Sequence, residues 1–114
     1  MPHRQWKVRI DDMLESIERI LRYTSGMDFA AFKSDERTID AVMHNVEIIG
    51  EAARHIPAAV EAHNPAIPWT KMRGMRNLLI HQYSDVSIPI LWQTVQEDIP
   101  PLPPLLRQIL EQEP

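Results

Sequence analysis

The chain has 114 residues, of which 44% are hydrophobic and 25% charged, and it carries a formal net charge of −4, 10 prolines and no cysteine. This length supports a single domain over residues 1–114 and is too short for two independent cores. Without cysteine, a disulfide framework, a thiolate nucleophile and a thiolate metal site are excluded, and the composition fits a reducing cytoplasm. The negative charge argues against broad coating of nucleic acid, which draws on many Lys and Arg contacts.

The N-terminal sequence leads into charged amphipathic segments rather than an apolar leader, and no stretch of the chain reaches the length of a membrane span. We therefore expect a soluble, cytoplasmic protein with no membrane partner. No cofactor is predicted.

Two long amphipathic helices are predicted in the first half of the chain. In the first, from about Arg4 to Tyr23, apolar residues recur every three or four positions before the turn-forming Thr24–Gly26. This stripe consists of Trp6, Ile10, Met13, Leu14, Ile17, Ile20 and Leu21. Ser34 is the predicted N-cap of the second helix, which runs to about Ile56. Its inner face comprises Ile39, Val42, Met43, Val46, Ile49, Gly50, Ala53 and Ile56.

The second half of the chain predicts further helices separated by prolines. Pro57–Pro68 indicates a connector with one helical turn over Ala58–His63. A third main helix begins just after it, a fourth spans about Ser87 to Asp98, and a last one begins near Pro103. No segment alternates with period two. The predicted fold is therefore an all-α, antiparallel four-helix bundle with an additional short C-terminal helix.

Chemistry is concentrated in the run from Arg76 to Tyr83, which places an arginine, a histidine and a tyrosine in an otherwise apolar segment. Arginine neutralises phosphate through its planar fork, and histidine transfers protons near neutral pH. On an ideal helix Arg76 and Tyr83 lie within about 20° of each other, whereas His81 lies about 140° from Arg76. Either the helix loosens near His81, where Ser84 and Asp85 favour a turn, or the cooperating arginine and histidine come from two subunits.

The second option has a chemical motivation. Cleaving RNA without a metal requires a base to take the 2′-hydroxyl proton and an acid to protonate the leaving 5′-oxygen on the other side of phosphorus. A two-fold dimer would bring two copies of His81 and two of Arg76 to one phosphate. A plainer interpretation is that these side chains cap carbonyls and cover the core with their apolar stems.

Other polar and aromatic sets have simpler interpretations. His44, Glu47, Glu51 and His55 form one stripe on the second helix, and we interpret it as a solvated face rather than a metal site because no inward ligands from other helices are evident. The methionines Met27, Met43, Met72 and Met75 are interpreted as core filler. The tryptophans Trp6, Trp69 and Trp92 are interpreted as buried anchors rather than base-stacking platforms, although Trp69 precedes the motif helix.

The run matches the R-x4-H-x-Y motif, and the chain resembles the HepT-like branch of the HEPN superfamily over nearly its whole length. The resemblance extends to Asn45–Ala53, Ile67–Trp69 and Gly74–Asn77, in the same order, with no departure at the three motif positions. It implies a HEPN-type dimeric helical bundle and a metal-independent ribonuclease. It assigns catalytic roles to Arg76 and His81 and an auxiliary, positioning role to Asn77.

The resemblance also implies a partner. HepT-like proteins are toxins of type VII toxin–antitoxin pairs, in which an MntA-like nucleotidyltransferase antitoxin attaches AMP to the motif tyrosine. That tyrosine is Tyr83 here, and a bulky anionic adduct beside the catalytic pair would block RNA. The alternative hypothesis is a non-catalytic helical dimer that binds a nucleotide or the partner nucleotidyltransferase.

Overall fold

The computed structural model describes the backbone of residues 2–81 and 87–112, and the side chains of residues 5–75 and 87–112. These residues form helices and no strand, so the all-α prediction is confirmed for them. The α-helices are α1 (Pro2–Thr24), α2 (Phe29–Lys33), α3 (Glu36–Ala53), α4 (Ala58–His63), α5 (Trp69–His81), α6 (Ile88–Gln93) and α7 (Leu102–Gln112). Helix α6 continues directly into a π-helical turn, Thr94–Asp98.

Helix α3 is the centre of the molecule because it packs along both α1 and α5. The predicted apolar stripe of α1 is buried, and Ile10, Met13 and Ile17 are completely inaccessible to solvent. On α3, Val42, Val46 and Ile49 are equally inaccessible. Periodicity thus identified both faces of the central helix pair, and α7 covers the remaining side of α1.

Helix α1 ends as its sequence predicts. Gly26 has a φ of 78°, in the left-handed region that glycine adopts without strain, and the Met27 amide closes the turn onto the Thr24 carbonyl at 3.0 Å. The buried Thr24 hydroxyl donates to the Ile20 carbonyl at 2.8 Å. The chain therefore reverses immediately after its longest helix.

The predicted start of the second helix was wrong, because a separate short helix comes directly before α3. Residues 29–33 form the separate helix α2, capped by Asp28, whose carboxylate accepts from the Ala31 amide at 2.8 Å. Ser34 is not the N-cap of α3 because its hydroxyl donates back to the Ala30 carbonyl of α2. Asp35 caps α3 instead, and the hydrogen bonds it accepts from the Thr38 amide and hydroxyl lower the pKa of its carboxyl.

Two other boundaries differ from the prediction. Helix α3 ends at Ala53, and the next three residues continue only as tight turns before Pro57. The fourth predicted helix is α-helical only to Gln93, because the Ile99 amide then bonds the Thr94 carbonyl five residues earlier, at 3.1 Å. The connector helix over Ala58–His63 is confirmed as α4.

Aromatic residues anchor the ends of the bundle. Trp6 and Trp69 are each 6% exposed, as predicted for buried anchors. Trp92 is half-buried and packs on Phe32 of α2, with ring centroids 4.9 Å apart. None of the described helices combines the length and the apolar content that crossing a membrane demands.

Candidate functional site

Arg76 and His81 lie on the C-terminal half of α5, which is α-helical through His81. No loosening of the helix is therefore seen between Arg76 and His81. Five residues of α-helix place their Cα atoms about 140° apart around the axis and about 7.5 Å apart along it. One chain thus presents these two positions on different sides of its helix. The side chains of Arg76, Asn77 and His81, and the whole of Tyr83, lie outside the described residues, as do Ser84 and Asp85.

Helix α5 differs from the rest of this acidic chain in its charge. From residue 62 to residue 84 the sequence has no Asp or Glu, while α5 carries Lys71, Arg73 and Arg76. The Lys71 ammonium bonds the Asp98 carboxylate at 2.8 Å, and the hydrogen bond and charge of Asp98 raise the pKa of Lys71. Arg73 pairs with Glu61 of α4. The helix is therefore positive in itself and is held by acids on its neighbours.

The start of α5 is fixed by Trp69. Its indole N–H donates to the Asn64 carbonyl at 3.0 Å, and the ring is almost fully buried. Met72 and Met75 continue the buried face of the helix, as predicted for core filler. Trp69 is consequently a structural anchor and has no open face on which a base could stack.

A groove of about 450 Å³ runs between α5 and the helix formed by α6 and the π-helical turn. Its lining residues are Lys71, Gly74, Met75, Ile90, Gln93, Thr94, Glu97 and Asp98. Sequence reasoning did not find this set, since it joins two segments that are far apart in the chain and carries no motif of its own. Of these residues, only Gly74 and Met75 belong to a stretch that carries the family resemblance.

The stripe on α3 has the exposure that a solvated face predicts. His44, Glu47 and His55 are exposed, and the carboxylate of Glu51 lies 3.2 Å from the imidazole of His55 and 3.6 Å from the guanidinium of Arg54. In the part of the chain that the structure describes, no three His, Asp or Glu side chains converge as metal ligands would.

Helix α3 also carries a buried amide to which the sequence pattern assigned no role. Asn45 is 3% exposed, and its amide N–H donates to the Ala41 carbonyl at 2.8 Å. Its side-chain oxygen has no hydrogen-bond donor among the described residues. A buried unpaired acceptor costs free energy, so this position is not explained by stability alone.

Comparison with known protein families finds a match that covers both the helical fold and the motif. The family model described as "Ribonuclease HepT-like" matches residues 13–109, which include Arg76 and His81. The chain belongs to the HepT-like family. The resemblance inferred from the motif is therefore confirmed at the level of the family.

Individual relatives of this HepT-like chain cover almost its full length. It is 43% identical over 99 residues to "Probable ribonuclease HepT" of Thermococcus cleftensis, covering 87% of this chain and 90% of the relative. It is 37% identical over 100 residues to a protein of Methanocaldococcus jannaschii named as a candidate RNase, covering 88% and 92%. A candidate RNase of Caldanaerobacter subterraneus subsp. tengcongensis is 32% identical over 104 residues, covering 91% and 93%. No solved structure matches this chain significantly.

Proposed function

We propose that this chain is a metal-independent endoribonuclease that acts as a homodimer and is the toxin of a toxin–antitoxin pair. The observation that carries the proposal is the intact R-x4-H-x-Y run of a HepT-like chain, with its arginine and histidine on α5. Relatives of this chain are named as ribonucleases. The sequence of α5 adds support, because it carries three cations and no acid, and cations attract a substrate with a phosphate backbone.

The chemistry follows from the residue types. One His81 takes the proton of the 2′-hydroxyl, and the 2′-oxygen forms a bond to phosphorus while the bond to the 5′-oxygen breaks. A second His81 protonates that leaving oxygen, which yields a 2′,3′-cyclic phosphate and a 5′-hydroxyl. Arg76 stabilises the charge that develops on the phosphorane oxygens, and Asn77 positions it or the RNA.

Dimerisation supplies the second histidine. Because α5 stays helical through His81, Arg76 and His81 of one chain have Cα positions on different sides of the helix, which favours a site shared by two copies. A two-fold axis near α5 would place both acid–base groups at one phosphate.

Catalysis is tested by replacing His81. The purified protein should cleave RNA in the presence of a chelator, and His81→Ala should reduce cleavage by about a hundredfold or more while the helical circular dichroism is kept. His44→Ala, at an exposed position on α3, is the matched control and should cleave like the parent. If His81→Ala cleaves as well as the parent, the catalytic assignment fails, and the non-catalytic binding module becomes the better account.

The shared site is tested with mixed dimers. Two differently tagged copies, one of them carrying His81→Ala, should form a heterodimer with far less than half of the parental activity. A heterodimer with half the activity would mean that each chain has a complete site. Sedimentation that finds only monomer at micromolar concentration would also contradict the shared site.

We propose that Tyr83 is the point of regulation by a nucleotidyltransferase antitoxin. The tyrosine oxygen would attack the α-phosphorus of ATP and release pyrophosphate, leaving a bulky anion beside the catalytic pair. Co-expression with such a partner should add about 329 Da per AMP group to the intact mass. Tyr83→Phe should stay unmodified and remain active in the presence of the partner. An unchanged mass together with retained inhibition would exclude this mode of control.

A further inference from the structure

We infer that the groove between α5 and the α6–π segment is a base-recognition subsite for a nucleotide next to the cleaved phosphodiester, with a preference for guanine. This inference rests on the proposed ribonuclease function and goes beyond it by naming the part of the substrate that is read. The groove is described entirely by residues 71–75 and 90–98.

The position of the groove connects it to the motif. Gly74, on the groove wall, and His81 are seven residues apart on one continuous helix, so their Cα atoms lie within about 20° around the axis and about 10 Å apart along it. A short stretch of extended RNA is long enough to span the axial distance between Gly74 and His81. A phosphate held at the level of His81 would therefore leave a neighbouring nucleotide beside Gly74.

The shape of the groove suits a flat ring. Among the described residues, no atom lies within 4 Å of a Cβ added at Gly74, so this stretch of the wall is bare backbone with open space in front of it. Met75 forms apolar wall on one side, and Ile90 lies on the rim with 46% of its surface exposed. Single-stranded RNA is read in this way, with bases splayed out and packed between side chains.

The charges of the groove select a base rather than a phosphate. Lys71 is paired with Asp98, so their charges balance, and Glu97 leaves the groove with a net negative charge. A carboxylate repels phosphate but accepts hydrogen bonds from N–H groups of bases. Guanine offers two adjacent N–H donors on its Watson–Crick edge, which match the two carboxylate oxygens. Uracil offers one N–H between two carbonyl oxygens, which the carboxylate would repel.

The π-helical turn sets this polar edge. Exposed Gln93 and Glu97 stand on either side of buried Thr94, whose carbonyl accepts the bond from the Ile99 amide. Gln93 adds an amide that can both donate and accept at the base edge. We therefore assign Glu97 as the specificity-determining residue and Gln93 as its neighbour in recognition.

The test compares cleavage of short RNA oligonucleotides that differ only in the base at one position next to the cleaved bond. The parent should prefer guanine over uracil at one fixed flanking position by about tenfold, the discrimination typical of a bidentate contact. Glu97→Gln should reduce that preference to within about threefold. Glu47→Gln, an exposed carboxylate on α3 outside the groove, is the control and should keep the preference.

A second variant tests the space itself. At Gly74 an added Cβ meets no described atom within 4 Å, and leucine favours a helix more than glycine does. Gly74→Leu should therefore fold, lose the base preference and keep the oligomeric state of the parent. Unchanged preference in Glu97→Gln or Gly74→Leu overturns the inference while leaving the ribonuclease proposal intact. A Gly74→Leu variant that no longer self-associates would show that a second copy covers the groove, which also overturns it. A parent that cleaves no RNA removes the ribonuclease proposal, and the subsite with it.

Discussion

Helices α1 and α5 handle charge in opposite ways. On α1, Arg19 pairs with Glu15 and Arg22 with Glu18, each four residues away on the same helix. The four side chains are between 40% and 74% exposed, so such pairs add little to stability. Both pairs close within α1 and involve no other element.

On α5 every described ion pair leaves the helix. Lys71 reaches Asp98 on the π-helical turn, and Arg73 reaches Glu61 on α4, where both partners are partly buried. The helix keeps its positive charge because its sequence contains no acid, and its position depends on the two elements it is tied to. The charges of Lys71 and Arg73 are therefore balanced by carboxylates on neighbouring elements.

The dependence of α5 on its anchor predicts the largest effect. Trp69→Ala removes an almost fully buried ring and its hydrogen bond to the Asn64 carbonyl, and should lower the free energy of unfolding by about 3–5 kcal/mol. Urea denaturation measures this loss. Trp92→Ala, at a half-buried ring, is the comparison and should cost less. Equal losses at both positions would mean that the start of α5 is not a special anchor.

The pair between α5 and α4 predicts the next effect. Arg73→Met should lower the free energy of unfolding by at most about 1 kcal/mol, since the Arg73 and Glu61 side chains are only partly buried. A double-mutant cycle with Glu61→Gln isolates the coupling between them. Additive effects of the two substitutions would show that the pair does not hold α5 in place.

A smaller effect is expected at Asn45, whose side-chain oxygen is buried in the packed face of α3 without a described hydrogen-bond donor. Asn45→Leu has nearly the same shape, removes the unpaired oxygen, and should leave the free energy of unfolding within about 1 kcal/mol of the parent or raise it. Thermal denaturation measures the change. A loss well above that range would mean that the amide has a partner in solution.

The smallest effect is expected on α1. Arg19→Met should change the free energy of unfolding by less than about 0.5 kcal/mol, because its partner Glu15 is exposed and on the same helix. Added salt should reduce even that difference. A cost as large as that of Arg73→Met would remove the distinction between the two helices.

Periodicity and punctuation predicted most of the fold. The faces of α1 and α3, the turn at Gly26 and the connector helix α4 follow from apolar spacing, glycine and proline. Helix α2 was missed because it is a single turn. Ser34, which follows its last residue, equally suits the N-cap position of the next helix, so the boundary between the two helices is not evident in the sequence. The π-helical turn was missed because no residue type distinguishes it from an α-helix in the sequence.

The sequence named residues for the candidate site but not their surroundings. The resemblance to the HepT-like family assigns catalytic roles to Arg76 and His81, and this assignment stays a prediction. The groove depends instead on tertiary packing that brings Gly74 beside Glu97, two residues that share no sequence pattern. The same holds for the tie between Lys71 and Asp98, which are 27 residues apart.

The π-helical turn has a consequence for how this gene can vary. A π turn holds one residue more than an α turn of the same length, so it can lose a residue and close into plain α-helix with both flanks in place. Deleting the codon for exposed Gln96 should therefore leave Leu91 and Ile99 buried while re-aiming the side chains between them. Deletion of this one codon would therefore decide whether the helix holds the Glu97 carboxylate at the edge of the groove.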